Sequence, residues 1–182
     1  TPAVVGVLIY ASSNPSCSGA PVTYTATASN QGTTPVYRWM KNGITVGSNS
    51  SAYSYIPSAG DLITCELTSN ATCIQNPTAI SNVITTALIP SVPVSVSIIA
   101  SANPVCSGTP VTFTASSVNG GNTPVYQWKK NGTEIGPNSP VFTYAPGNGD
   151  VITCTLISSV NCPTGSPATS NAITMGVNTS LA

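Results

Sequence analysis

Residue types recur along this chain at a fixed offset of 89 positions, and that repeat constrains the fold more than any other feature. Cys17, Trp39, Cys65 and Cys73 return as Cys106, Trp128, Cys154 and Cys162. Asn14-Pro15 returns as Asn103-Pro104, and Gly60-Asp61 as Gly149-Asp150. About half of all positions match without a gap, so the 182 residues read as two copies of one module, 1–89 and 90–182. The join, Leu88-Ile89-Pro90-Ser91-Val92-Pro93-Val94, lacks Gly and carries two prolines, which predicts a stiff connector.

Each copy reads as strands. Val22-Thr23-Tyr24-Thr25-Ala26 alternates apolar residues with Thr, the period of a half-buried strand. Val36-Tyr37-Arg38-Trp39-Met40-Lys41 runs into Asn42-Gly43, a strong two-residue hairpin signal, and then into Ile44-Thr45-Val46. In Leu62-Ile63-Thr64-Cys65-Glu66-Leu67, Ile63, Cys65 and Leu67 fall on one face. Turn-forming clusters of Asn, Gly, Pro and Ser punctuate these runs, and Pro and β-branched residues interrupt every helical window. The expected fold class is all-β, two tandem sandwich modules.

Composition then limits function. Only 4 residues are Lys or Arg and 4 are Asp or Glu, and there is no His. No basic stripe exists to displace counterions from nucleic acid. Acid–base catalysis lacks its usual groups, so a non-enzyme with no cofactor is expected. Polarity comes from 25 Ser, 25 Thr and 16 Asn. No apolar run approaches the roughly 18 residues of a membrane span, so no membrane insertion is expected.

Gly19-Ala20-Pro21-Val22-Thr23-Tyr24, Trp39-Met40-Lys41-Asn42-Gly43, and Gly60-Asp61 four residues before Cys65 resemble strands B, C and F of an immunoglobulin-like domain. More narrowly, Cys-Ser-Gly-x-Pro-Val-Thr from Cys17 and the late Ser-Asn-x-Ile-Thr strand are similar to bacterial Ig-like repeats. Such repeats occur in large secreted and surface proteins of the Bacteroidota, many of them adhesins. The strand-B cysteine of antibody-type domains is replaced here by Ala26 and Ala115, so the usual inter-sheet disulfide cannot form. The resemblance then implies a core of Trp39, Cys65 and Ala26 in one module and Trp128, Cys154 and Ala115 in the other, with both cysteines as buried thiols.

Three cysteines per module cannot all pair within it. In the Ig topology Cys17 lies near the A–B turn and Cys73 in the F–G connection. A strand of about seven residues separates those ends by over ~20 Å, against the ~7 Å Cα separation a disulfide tolerates. An intermodule Cys17–Cys162 bond is therefore one expectation, leaving Cys73 and Cys106 for neighbouring modules or subunits. A Cys65–Cys73 bond across the F–G hairpin is the competing one. Either implies an oxidising, extracellular location.

Other candidates are weaker. Asp61 and Asp150 supply one carboxylate per module, which suits a turn better than a calcium site. Lys41 and Lys130 with Asn82 and Asn171 would suit a Lys–Asn isopeptide bond, but the acid it needs is not duplicated, since Glu66 is matched by Thr155. Glycosylation-type triplets start at Asn49, Asn70, Asn131 and Asn178, a number expected by chance here. Strand parity places every aromatic except Tyr10 inward, which leaves no stacking platform for sugar rings.

The expected role is a structural or adhesive segment of a surface fibre or adhesin stalk. Neighbouring copies are its first expected partners, with a surface receptor or glycan as further candidates. An accessory spacer or carbohydrate-binding module of a secreted enzyme is the alternative. Thr1-Pro2-Ala3-Val4-Val5 and Met175-Gly176-Val177-Asn178 resemble the join, as expected of a continuing array. The sparse charge fits lateral packing that salt barely screens.

Overall fold

The computed structural model describes residues 2–179, so the outermost ends of the two expected modules lie outside them. The chain divides into two compact units, Thr1–Pro90 and Ser91–Ala182. Unit 1 contains β1 (Gly6–Ala11), β2 (Ser16–Cys17), β3 (Val22–Ser29), β4 (Val36–Lys41) and β5 (Ile44–Val46). It continues with β6 (Ala52–Tyr55), β7 (Leu62–Thr68), β8 (Thr78–Ile80), β9 (Ile84–Thr85) and β10 (Leu88–Ile89). No helix occurs among the described residues.

Unit 2 begins with β11 (Val92–Pro93), β12 (Ser95–Ala100), β13 (Val105–Cys106), β14 (Val111–Val118), β15 (Val125–Lys130) and β16 (Thr133–Ile135). It ends with β17 (Val141–Tyr144), β18 (Val151–Ile157), β19 (Pro163–Thr164), β20 (Ala168–Thr169), β21 (Ile173–Thr174) and β22 (Val177–Asn178).

Each unit is an Ig-like sandwich. In unit 1 the order β1-β3-β6 forms one sheet and β5-β4-β7-β8 the other, with β9 also on β7. Unit 2 repeats this as β12-β14-β17 and β16-β15-β18-β20, with β21 on β18. The hairpin after Lys41 closes as its sequence predicts. Lys41 pairs with Ile44, and Asn42 and Gly43 both take positive φ, 52° and 79°, the geometry that matches strand twist.

Period-two alternation decides what is buried. Ile63, Cys65 and Leu67 of β7 are wholly inside, as are Ile152, Cys154 and Leu156 of β18. Trp39 pairs across the sheet with Cys65, and Trp128 with Cys154. Ala26 and Ala115 line the same two cores. Each indole N–H is satisfied, Trp39 Nε1 by the Ser50 carbonyl at 2.8 Å and Trp128 Nε1 by that of Ser139 at 2.9 Å. Stacked rings complete the cores, with Tyr53–Tyr55 and Phe142–Tyr144 centroids each 5.2 Å apart. The two buried clusters share no residue among those described.

The second sheet breaks its outer strand at Ser81-Asn82, between β8 and β9. Ser81 Oγ accepts from the Cys65 N–H at 2.9 Å, so the ladder continues through a side chain. Asn82 then reaches the other sheet. The Ile9 N–H donates to its Oδ1 at 2.8 Å, and its Nδ2 donates to the Ile9 carbonyl at 3.1 Å. One amide side chain thus mimics a β-partner and covers the exposed edge of β1 at its centre. Asn171 does the same to Ile98 at 2.8 and 3.0 Å. Asn82→Ala leaves two half-buried backbone groups of Ile9 unpaired, at a cost of about 1–3 kcal/mol. A lowered denaturant midpoint for Asn82→Ala, matched by Asn171→Ala in the other unit, is the expected result.

Candidate crosslinking site

The six cysteines fall into three pairs by their state and surroundings. Cys65 and Cys154 are wholly buried and free. Burial pushes both thiols up to about 11, which makes them poor nucleophiles and poor metal ligands at neutral pH. Cys17 and Cys162 are disulfide-bonded, whereas Cys73 and Cys106 are free and exposed. The Cys65–Cys73 alternative is corrected by this arrangement, because Cys65 points into the core beside Trp39 and both members are free.

Cys17 sits where the chain leaves unit 1. Its short strand β2 pairs in parallel with β10, Cys17 opposite Ile89. The N–H groups of Ser16 and Ser18 donate to the carbonyls of Ala87 and Ile89 at 3.0 and 2.9 Å. Asn14 holds the same departing segment. Its Nδ2 donates to the Thr85 carbonyl at 2.9 Å, and its Oδ1 accepts from the Ala87 N–H at 2.8 Å. This is why the Asn-Pro-x-Cys-Ser-Gly segment and the strand some 70 residues later act as one fixture.

Unit 2 rebuilds it around Cys106. Asn103 Nδ2 donates to the Thr174 carbonyl at 2.9 Å and its Oδ1 accepts from the Gly176 N–H at 2.8 Å. Val105 and Ser107 bond the carbonyls of Gly176 and Asn178, each at 3.0 Å, and Cys106 pairs with Asn178.

Cys162 sits where the chain enters unit 2. It adopts positive φ, 57°, and its carbonyl accepts from the Val92 N–H at 3.0 Å, beside the parallel pairing of β11 with β19. Asn119 Nδ2 donates to the Pro93 carbonyl at 2.6 Å and ties the entering strand from the other side. Unit 1 carries the same arrangement at Cys73. Its φ is 59°, its carbonyl accepts from the Ala3 N–H at 3.1 Å, Ala3 bridges Ile74 in parallel, and Asn30 Nδ2 donates to the Val4 carbonyl at 2.6 Å. Each unit therefore has an exit fixture with one cysteine (Cys17 or Cys106) and an entry fixture with another (Cys73 or Cys162).

The other candidates resolve into structural parts. The Asp61 carboxylate closes its turn by accepting from the Ser58 N–H at 3.0 Å, and also accepts from Asn42 Nδ2 and the Tyr55 hydroxyl, each at 2.9 Å. Burial opposes its charge, but these donors and the nearby Lys41 outweigh burial and hold the carboxyl below the usual range. Burial and that carboxylate together push the Tyr55 hydroxyl upward. Asp150, Asn131 and Tyr144 repeat the motif. Lys41 lies over the Tyr55 ring at 5.3 Å, while the Asn82 amide is taken up by Ile9, so neither is arranged as an isopeptide pair.

Among the described residues no three His, Cys, Asp or Glu side chains gather as a metal site. Tyr10 is the one aromatic left exposed, at 57%. The glycosylation-type triplet at Asn178 ends on Ser180, outside the described residues.

No family model matches the chain, and no curated protein does. Solved structures match it by shape. A Ca2+-stabilised adhesin of an Antarctic bacterium, described as helping it reach out and bind ice, superposes with a TM-score of 0.56 at 16% identity, covering 99% of this chain and 50% of that one. The fibronectin(III)-like modules of Clostridium thermocellum CbhA give a TM-score of 0.43 at 16% identity, covering 94% of this chain and 93% of theirs. The ectodomain of mouse nectin-like molecule 4 gives 0.39 at 12% identity, covering 97% of this chain and 65% of its own. The chain thus spans between half and two thirds of the adhesin and nectin-like structures it matches. By fold, it is a tandem pair of immunoglobulin-like β-sandwich modules.

Proposed function

We propose that this chain is a non-catalytic extracellular spacer: a segment of a surface fibre or adhesin stalk of the bacterial, Bacteroidota-type kind its sequence resembles. A Cys17–Cys162 disulfide locks its joint. The observation that carries the reading is the choice of bonded cysteines, which are not equivalents in the repeat. Cys17 belongs to the exit fixture of unit 1 and Cys162 to the entry fixture of unit 2. Only the residues from Ile89 to Val92 separate the strands against which these fixtures are built, about 10 Å of extended chain.

A structural disulfide belongs to an oxidising compartment. The chain has no His, and Asp61 and Asp150 are taken up by turn donors, which supports a role without acid–base catalysis. The adhesin that shares the fold is described as helping a bacterium reach out and bind ice, and a reach-extending role suits a repeat in which each unit has its own core.

Sparse charge makes the test simple. Cleavage after Arg38, Lys41, Lys129 and Lys130 under thiol-blocking, non-reducing conditions separates peptide 1–38, which holds Cys17, from 131–182, which holds Cys162. The expected result is a linked 1–38/131–182 pair that reductant splits. Cys17 recovered blocked as a free thiol, or a bond confined to 42–129, contradicts the reading.

A further inference from the structure

The two free exposed cysteines sit on fixtures that match those of the bonded pair almost bond for bond. Cys106 has the parallel pairing, the flanking donors and the Asn clamp of Cys17. Cys73 has the left-handed backbone, the entering-strand bond and the second Asn clamp of Cys162. We infer that Cys106 of one copy of this chain forms a disulfide with Cys73 of a second copy, repeating between molecules the joint proposed within one. This rests on the Cys17–Cys162 reading and extends it. Every unit then offers one cysteine forward and one backward, and the third stays in the core.

The chemistry balances with a small-molecule disulfide such as oxidised glutathione as the electron acceptor. The Cys73 thiolate attacks it, forming a mixed disulfide and releasing one glutathione thiolate. The Cys106 thiolate of the next chain then attacks the Cys73 sulfur, forms the protein S–S bond and expels the second glutathione. Two thiol protons are lost, and two electrons pass to glutathione. The intramolecular joint has a covalent linker that raises the local concentration of its partners to about the millimolar range. The intermolecular joint lacks that linker, so chain at ~1 mM is the appropriate test condition.

Because both residues are exposed, Cys73→Ser and Cys106→Ser leave the cores untouched. Equimolar Cys73→Ser and Cys106→Ser chains are oxidised together with glutathione disulfide, each variant is oxidised alone in parallel, and products are resolved without reductant. The expected result is a heterodimer that stops at two chains and exceeds either homodimer by about tenfold, while the unsubstituted chain builds a ladder. Homodimers forming as fast as the heterodimer, or no crosslinked product, would overturn the inference. The same digests report the 1–38/131–182 pair. If that pair persists and the heterodimer is absent, only the intermolecular joint fails; if that pair is missing, the reading beneath it fails.

Discussion

Trp39→Ala, studied in reductant, is expected to destabilise unit 1 alone, so that it unfolds first while unit 2 stays folded. The indole is wholly buried and packs beside Cys65 and the Tyr53 ring, 5.9 Å between centroids. Its removal leaves a large cavity and orphans the Ser50 carbonyl, a loss of about 3–5 kcal/mol. A domain of some 90 residues holds only about 5–13 kcal/mol in total. The cores share no residue among those described, so the cavity opens in the core of unit 1.

The chain has two tryptophans, one in each unit, so Trp128 becomes the sole fluorescent reporter. Circular dichroism should then show two separated unfolding steps, with Trp128 emission following only the later. Trp128→Ala should reverse the order. A single coincident transition would mean that the units do not fold independently.

Period-two patterning made most of the fold legible. Ile63, Cys65 and Leu67 alternate with Thr64 and Glu66, and the structure buries the first set while Glu66 pairs outward with Arg38 at 2.8 Å. Asn42-Gly43 carried its turn for a local reason, because positive φ is cheap for those residues. The Asn82 crossing had no such signal. Ser81-Asn82 reads along the sequence as part of a strand, and its partner Ile9 lies 73 positions away.

The clamps by Asn14, Asn30, Asn103 and Asn119 were hidden for the same reason. They join side chain to backbone across 26 or 71–73 residues, and no local propensity encodes that. For the cysteines, topology argued against Cys17–Cys73 and put Cys17–Cys162 and Cys65–Cys73 forward among the possible pairings. Burial then removed Cys65–Cys73, because Cys65 is enclosed in the core while Cys73 is exposed.

The Cys17–Cys162 joint proposed above carries a mechanical expectation. With that bond closed, a load applied to the two ends of the chain would run into Cys17, cross to Cys162 and leave again. The load would therefore bypass residues 18–161, which include both tryptophans and most of both cores. Only segments 1–17 and 162–182 could then be drawn out, about 38 residues or ~13 nm at ~3.5 Å each. Once the bond is reduced the whole 182-residue chain is extensible, to about 64 nm.

Stretching single chains by their ends, with and without reductant, tests the central claim most directly. If this is a tension-bearing extracellular segment with a locked joint, oxidised molecules stop near ~13 nm of released chain, and reductant, or Cys17→Ser or Cys162→Ser, releases about 64 nm. Full extension of the unreduced chain would contradict it.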